Sequence, residues 1–219
     1  MSTLALPPVS VLLARLFDDA DATQSVLDKQ MGEMTPQQRA NLIAGADWRS
    51  LYTRAKDAHL AVSRETGRLL YMLARASHAR SVVEFGTSFG VSTLHLAAAL
   101  RDNGGGQLVS TEFEPGKVAQ ARANLGAAGL ADLVEIREGD ALETLAHDLP
   151  DTIDLLLLDG AKVLYARVLD LLEPRLRAGA LVIADNADMS PDYLTRVRSG
   201  RGYLSVPFAS DVELSMRLS

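Results

Sequence analysis

From residue 81 onward the chain alternates short apolar runs with amphipathic ones. Apolar runs at 81–86, 107–112, 133–138, 153–159 and 179–185 predict strands, and runs with helical spacing begin near 90, 115, 141, 163 and 191. The run Ile153-Asp-Leu-Leu-Leu-Leu-Asp159 is apolar on successive positions, as expected of a central parallel strand covered on both faces. Strands and helices in strict alternation predict a doubly wound, mostly parallel α/β sheet. Further on the period changes. Leu204, Val206 and Phe208 alternate, and so do Val212, Leu214, Met216 and Leu218, so an antiparallel hairpin is expected to close the sheet and bring it to seven strands. Ahead of the alternating part, 9–31 and 36–58 are expected to be helices, the second begun by Thr35-Pro36, and 65–76 a third, with Ser63 near its cap. Residues 1–62 thus form an N-terminal helical segment, a lid or dimerisation element, before an α/β domain at 63–219. Gly104-Gly-Gly106 and Gly179 are expected to mark turns between elements.

Composition narrows the partners. A net charge of −6 over 219 residues lacks the basic footprint that binding nucleic acid requires, so no nucleic-acid partner is expected. With no cysteine there can be no disulfide, zinc–thiolate site or thiol nucleophile. No apolar run approaches bilayer length and Met1 is not followed by a basic leader, which suggests a cytoplasmic protein without a membrane partner.

In a doubly wound sheet, ligands sit beyond the carboxyl ends of the strands. The first end is Glu84-Phe-Gly86-Thr-Ser-Phe-Gly90-Val-Ser92. Glycine admits positive φ and close approach of a ligand, and the first N–H groups of the following helix favour an anion. Glu84 favours an ammonium or hydroxyl, so a zwitterionic ligand suits the whole loop. The spacing is not the G-x-G-x-x-G of dinucleotide folds; it resembles motif I of the class I methyltransferases, which bind S-adenosylmethionine (SAM). Glu84, Gly86, Thr87, Ser88, Gly90 and Ser92 are therefore the first candidate cofactor residues.

The other strand ends are also acidic. Glu112 can accept both hydroxyls of a ribose, and Asp140, beside Ala141, is either an acceptor for an adenine amine or the N-cap of the next helix. Asp159 and Lys162 follow the fourth strand and Asp185-Asn186 the fifth. Neighbouring strand ends lie side by side, so two carboxylates and an amide oxygen can converge, a set suited to Mg²⁺, Mn²⁺ or Ca²⁺. Each acid alone could equally be a cap or turn residue. His59, His78, His95 and His147 lack ligand spacing, and Arg196, Arg198 and Arg201 form a solvated face or a site for an acidic substrate tail. Trp48, Leu51 and Tyr52 share one helical face, which packs on the main domain or walls a substrate.

Glu65-Thr-Gly67, 83–92, Thr111-Glu-Phe-Glu-Pro115, Gly139-Asp-Ala141, Asp159-Gly-Ala-Lys162, Asp185-Asn186 and the final hairpin together resemble the cation-dependent O-methyltransferases, the group of catechol and caffeoyl-coenzyme A O-methyltransferases, in their small bacterial form. The resemblance implies a class I methyltransferase sheet and methyl transfer from SAM to a hydroxyl of a small, catechol-like acceptor. It implies that Glu84, Gly86 and Ser92 hold the methionyl end, Glu112 the ribose, and Asp140 and Ala141 the adenine. Asp159, Asp185 and Asn186 would hold the cation, Mg²⁺ first among the choices, and Lys162 would be the general base. Relatives of this kind are often dimers, so a homodimer is a further expectation. The alternatives are a SAM methyltransferase without a metal, a SAM-binding module without catalysis, and, weakest, a dehydrogenase.

Overall fold

The structure is a computed structural model that describes residues 2–33, 35, 48–209 and 211–219. Its strands are β1 (Ser81–Phe85), β2 (Gln107–Glu112), β3 (Val134–Glu138), β4 (Ile153–Leu158), β5 (Leu176–Ala184), β6 (Tyr203–Phe208) and β7 (Val212–Arg217). They form one seven-stranded sheet in the order β3-β2-β1-β4-β5-β7-β6. The first five are parallel, and β7 runs antiparallel to both of its neighbours. The described α-helices are α1 (Val9–Glu33), α2 (Trp48–Arg54), α3 (Arg64–Ala76), α4 (Val91–Asp102), α5 (Pro115–Ala127), α6 (Ala141–Thr144), α7 (Tyr165–Leu172) and α8 (Pro191–Val197). None is long and apolar enough to cross a membrane.

β1 and β4 lie at the middle of the sheet, and the strand order turns outward in opposite directions from them. That switch point is where a crevice opens at the carboxyl ends. Leu155, Leu156, Leu157 and Leu158 of β4 have no solvent contact, which their unbroken apolar run requires. Asp154 escapes this rule because it lies at the opposite, amino end of the strand. Its carboxylate accepts from the backbone N–H groups of Arg80 and Ser81 at 2.8 and 2.9 Å and so fastens β4 to the start of β1.

α4 is buried along Val91 to Leu100 because α1 and α3 cover the face turned away from the sheet. Close approach of α3 needs Gly67, where a Cβ would lie 2.7 Å from the ring of His95. Val9, Leu12, Leu13, Leu16 and Phe17 of α1 join the same hydrophobic cluster as α4. Ser63 caps α3 as expected, accepting from the N–H of Thr66 at 3.0 Å.

Three expectations need revision. The second helix, expected to extend to residue 58, ends at Arg54 and gives way to a turn; its expected start at Pro36 lies outside the described residues. Gly179 does not precede the fifth strand but sits inside it at φ +78°, where the register with β4 slips: Ile153 faces Leu176, yet Leu155 faces Leu181. Of the three arginines near α8, the alternative of a site for an acidic substrate tail loses two: Arg196 pairs with Asp170 and Glu173, and Arg198 with Glu213.

Candidate active site

The carboxyl ends of the central strands surround a cavity of about 540 Å³, within the usual range of roughly 300–1,000 Å³ for small-molecule sites. Its floor is the loop after β1. Gly86 has φ +106°, and a Cβ there would stand 2.5 Å from the carbonyl oxygen of Asp159, so the loop rests directly on the end of β4. The N–H groups of Gly86 and Thr87 both donate to the Thr111 carbonyl, joining the same loop to β2. Ser88, at φ +47°, donates its N–H to Glu112 Oε2 at 2.7 Å, while Glu112 Oε1 accepts from the N–H of Glu114 at 2.9 Å. The Glu112 carboxylate is thereby fixed at the cavity wall, an arrangement able to receive a pair of hydroxyls.

Several loop residues act behind the wall rather than on it. Thr87 turns its hydroxyl to Ser110, 2.5 Å away. Gly90, at φ +89°, starts α4 and makes the turn without bordering the cavity. Ser92 lines a smaller recess beside the cavity together with Gly86, and donates to Glu84 Oε1 at 2.6 Å.

Glu84 itself is fully buried and does not reach the wall, which corrects the expectation of direct contact with a ligand ammonium. Its Oε2 accepts from Thr93 and Ser110, each at 2.6 Å, so the residue ties β1, β2 and α4 together and can act on a ligand only through Ser92. Burial pushes its carboxyl up to about 7, against the pull of the three hydroxyls. A carboxyl raised from 4.5 favours the folded state below pH 4.5 and loses that contribution as the pH rises through about 7, a difference of about 3 kcal/mol. Urea unfolding of the ligand-free protein at pH 5 and pH 8 is therefore expected to show a fall in stability that is smaller in Glu84→Gln, which cannot ionise at this position; the raised Asp159 and Asp185 carboxyls contribute to the fall in both proteins. Equal pH slopes for the two proteins would refute this.

At the end of β3, Asp140 is the N-cap of α6, accepting from the Leu142 N–H at 3.0 Å, and its second oxygen meets Arg49 of α2 at 2.5 Å. Gly139 and Ala141, on either side, line the cavity, whereas the Asp140 carboxylate is occupied by these two partners. Asp140 thus caps the helix, and its carboxylate is not among the groups that border the cavity.

Asp159, Lys162, Asp185 and Asn186 come together on one wall. Lys162 Nζ stands 3.0 Å from Asp159 Oδ1. The Asp185 carboxylate has no hydrogen-bond or ion-pair partner among the described residues, while its backbone oxygen accepts from the Tyr165 hydroxyl at 2.8 Å. Burial raises the carboxyl of Asp159, and burial, then the charge of Asp159, pushes that of Asp185 up to about 7. Asn186, at φ +47°, donates Nδ2 to Asp211 Oδ2 at 3.3 Å, which leaves its Oδ1 free to accept. Two carboxylates in a buried wall with one ammonium between them leave negative charge uncompensated. Together with the amide oxygen, that donor set fits a hard divalent cation. It consists of two acids and an amide; no cluster of three His, Cys, Asp or Glu suited to a metal occurs among the described residues.

The remaining walls were not all legible beforehand. Trp48 stands edge-on to Phe113 at 5.2 Å and to Tyr52 at 6.3 Å, so α2 both packs on the main domain and roofs the cavity. Phe113, Lys117, Met189 and Asp211 also line it and escaped the sequence reading. For Lys117 a signal existed: a cation in the first turn of α5 opposes the helix dipole, a local cost that calls for a reason.

Residues 83–187 match a family described as a methyltransferase domain. The chain is 33% identical over 130 residues to a catechol O-methyltransferase of Niastella koreensis, covering 58% of each. It is 37% identical over 127 residues to one of Mycobacterium tuberculosis, covering 58% of this chain and 57% of the relative. The chain thus spans under three fifths of the length of either. Among solved structures, an O-methyltransferase of Streptomyces achromogenes involved in tomaymycin synthesis, in complex with SAM, superimposes with a TM-score of 0.65 at 26% identity, over 76% of this chain and 86% of that one. The sheet order and the motif residues described above agree with these similarities: the chain matches a methyltransferase domain over residues 83–187 and is similar to catechol O-methyltransferases over under three fifths of their length.

Proposed function

We propose that this chain is a SAM-dependent O-methyltransferase that acts on a hydroxyl of a small, catechol-like acceptor with the help of a divalent cation. The observation that carries the reading is the opening of the Gly86–Ser88 floor, the Glu112 carboxylate and the Asp159, Lys162, Asp185 and Asn186 wall into one cavity. A donor and an acceptor bound there would be neighbours.

Glu112, held by two backbone N–H groups, would fix the ribose of SAM, and the glycine floor would let the sulfonium end approach the backbone. Trp48 and Phe113 would exclude water from that side. Asp159, Asp185 and Asn186 would hold the cation. When bound, it supplies the positive charge that stabilises an acceptor oxygen as its anion. Lys162 lies at the same wall and, in its neutral amine form, would take the proton of the acceptor hydroxyl, the ammonium so formed then pairing with Asp159. Holding oxygen and methyl carbon in line is an effect that can reach roughly 7–11 kcal/mol.

Methyl transfer from SAM to a panel of vicinal diphenols, followed as S-adenosylhomocysteine formed, tests the reading. Turnover with Mg²⁺ that a chelator abolishes is the expected result. Turnover unaffected by the chelator would leave a metal-independent transferase, and binding of S-adenosylhomocysteine without turnover of any hydroxylated acceptor would leave a binding module.

A further inference from the structure

Among the described residues two cations line the cavity, Lys162 and Lys117, and one of them is ion-paired. Lys162 is paired with Asp159. Lys117 is 2% exposed, and no carboxylate of a described residue lies within ion-pairing distance of its Nζ. Of the four acids whose charge reaches it, Glu112 accepts backbone N–H groups through both oxygens, Asp159 holds Lys162, and Glu114 and Asp57 stand beyond ion-pairing distance. Lys117 Nζ instead sits 5.5 Å above the ring of Phe89, a residue of the cavity-floor loop. Beside Phe89, Ser88 also lines the cavity and carries a buried hydroxyl without a hydrogen-bond partner.

A buried cation without a partner is costly, and an unsatisfied buried hydroxyl adds to the cost. Burial lowers the affinity of Lys117 for its proton, and the fields of Glu112, Glu114, Asp159 and Asp57 only partly oppose this. Its place in the first turn of α5 adds the unfavourable helix dipole. The cost of the unpaired charge and of its place on the helix dipole is relieved by an anionic group bound beside the α5 turn, within the cavity that Lys117 lines. SAM carries one anionic group, the α-carboxylate of its amino-acid end. Glu112 on the same wall repels a phosphate more strongly than a carboxylate, since the phosphate carries more charge.

We propose that the Lys117 ammonium, which borders the same cavity as Ser88 of the floor loop, receives the α-carboxylate of the amino-acid end of SAM; this rests on the SAM reading given above. Lys117 thereby decides between ligands that keep the amino-acid carboxylate and those that lack it. A site without such a cation would accept the bare thioether nucleoside about as readily as the full cofactor product.

The test is calorimetric titration of S-adenosylhomocysteine, of its decarboxylated analogue and of 5′-methylthioadenosine into the native protein, Lys117→Met and Lys117→Arg. Methionine keeps the length and apolar character of the lysine stem, and arginine keeps the charge. Loss of a charge-assisted contact predicts that Lys117→Met binds S-adenosylhomocysteine roughly 10- to 100-fold more weakly. The two ligands without the carboxylate should bind it within about threefold of native, which also shows that the variant is folded, and Lys117→Arg should recover most of the loss. Equal losses for all three ligands would overturn the proposal, since Lys117 would then serve only the shape of the site or the charge of Glu112. Unchanged affinity for S-adenosylhomocysteine in Lys117→Met would overturn it as well. A native protein that binds 5′-methylthioadenosine as tightly as S-adenosylhomocysteine would overturn this proposal and leave the SAM reading standing. A native protein that binds none of the three would overturn both.

Discussion

Asp159→Asn is expected to lower turnover of a vicinal diphenol by at least about 10³-fold, some 4 kcal/mol at the transition state, while S-adenosylhomocysteine binds within a fewfold of native. The substitution is nearly isosteric, so it leaves Gly86 its seat on the Asp159 backbone and the cavity its shape. What it removes is a negative charge from a wall where the Asp185 carboxylate has no hydrogen-bond or ion-pair partner among the described residues. With the charge gone, a divalent cation loses one of two carboxylates, and Lys162 loses the group that orients it at 3.0 Å. The two effects separate by spectroscopy. Electron paramagnetic resonance of Mn²⁺ with S-adenosylhomocysteine present should show a bound ion in the native protein and none in the variant. Native-like turnover of the variant in the presence of a chelator would rule out the cation-assisted reading, and a variant that retains bound Mn²⁺ but loses turnover would point to the orientation of Lys162 instead.

The second large effect is on the frame of the site. Gly86→Ala is expected to destabilise the protein by about 3 kcal/mol or more, lowering the melting temperature by roughly 6–12 °C, and to abolish binding of S-adenosylhomocysteine. The added methyl would meet the carbonyl oxygen and carbon of Asp159 at 2.5 and 2.6 Å and the nitrogen of Gly160 at 2.7 Å. These are backbone atoms at the end of a central strand and cannot give way as the tip of a side chain would. Gly105 separates this clash from the conformational cost. It has the same φ of +106°, but a Cβ there meets nothing within 4 Å, so Gly105→Ala should cost about 1 kcal/mol, the strain of the left-handed region alone. Similar melting temperatures for the two variants would show that the loop can move off β4.

The contrast between these two glycines bears on what the sequence can disclose. Their spacing and surroundings say that the chain turns at both places, but only the partner strand, more than seventy residues away, makes one of them irreplaceable. The parallel strands were legible because each is a run of apolar residues with an acid or glycine at its carboxyl end, and parallel pairing sets those ends side by side. The spacing of the acids along the chain therefore groups Asp159 with Asp185 and Asn186, and Glu112 with the glycine loop. Glu84 and Asp140 were placed at the correct strand ends, yet their carboxylates turn to Ser92, Thr93 and Ser110 in one case and to Leu142 and Arg49 in the other. Side-chain direction within a turn depends on hydrogen-bond partners from other elements, which spacing does not encode. Trp48 and Phe113 meet across the roof for the same reason. Lys117 illustrates the opposite situation: its clash with the helix dipole is visible in the sequence, but its lack of a carboxylate partner is visible only once the neighbouring acids have been placed.

The sheet order also has a consequence for how the molecule comes into being. β7 lies inside the sheet, between β5 and β6, although it follows β6 in the chain. During synthesis, β5 therefore keeps an unpaired edge until Arg217 has left the ribosome, and the turn bearing Asp211, which holds the amide of Asn186, cannot settle before then. The glycine floor and the Glu112 wall can form on the nascent chain, whereas the Asp185 side of the cavity is completed only after the hairpin has docked. A translating ribosome thus carries half a site with an open, aggregation-prone edge beside it, and the rate at which the hairpin closes sets how long that hazard lasts.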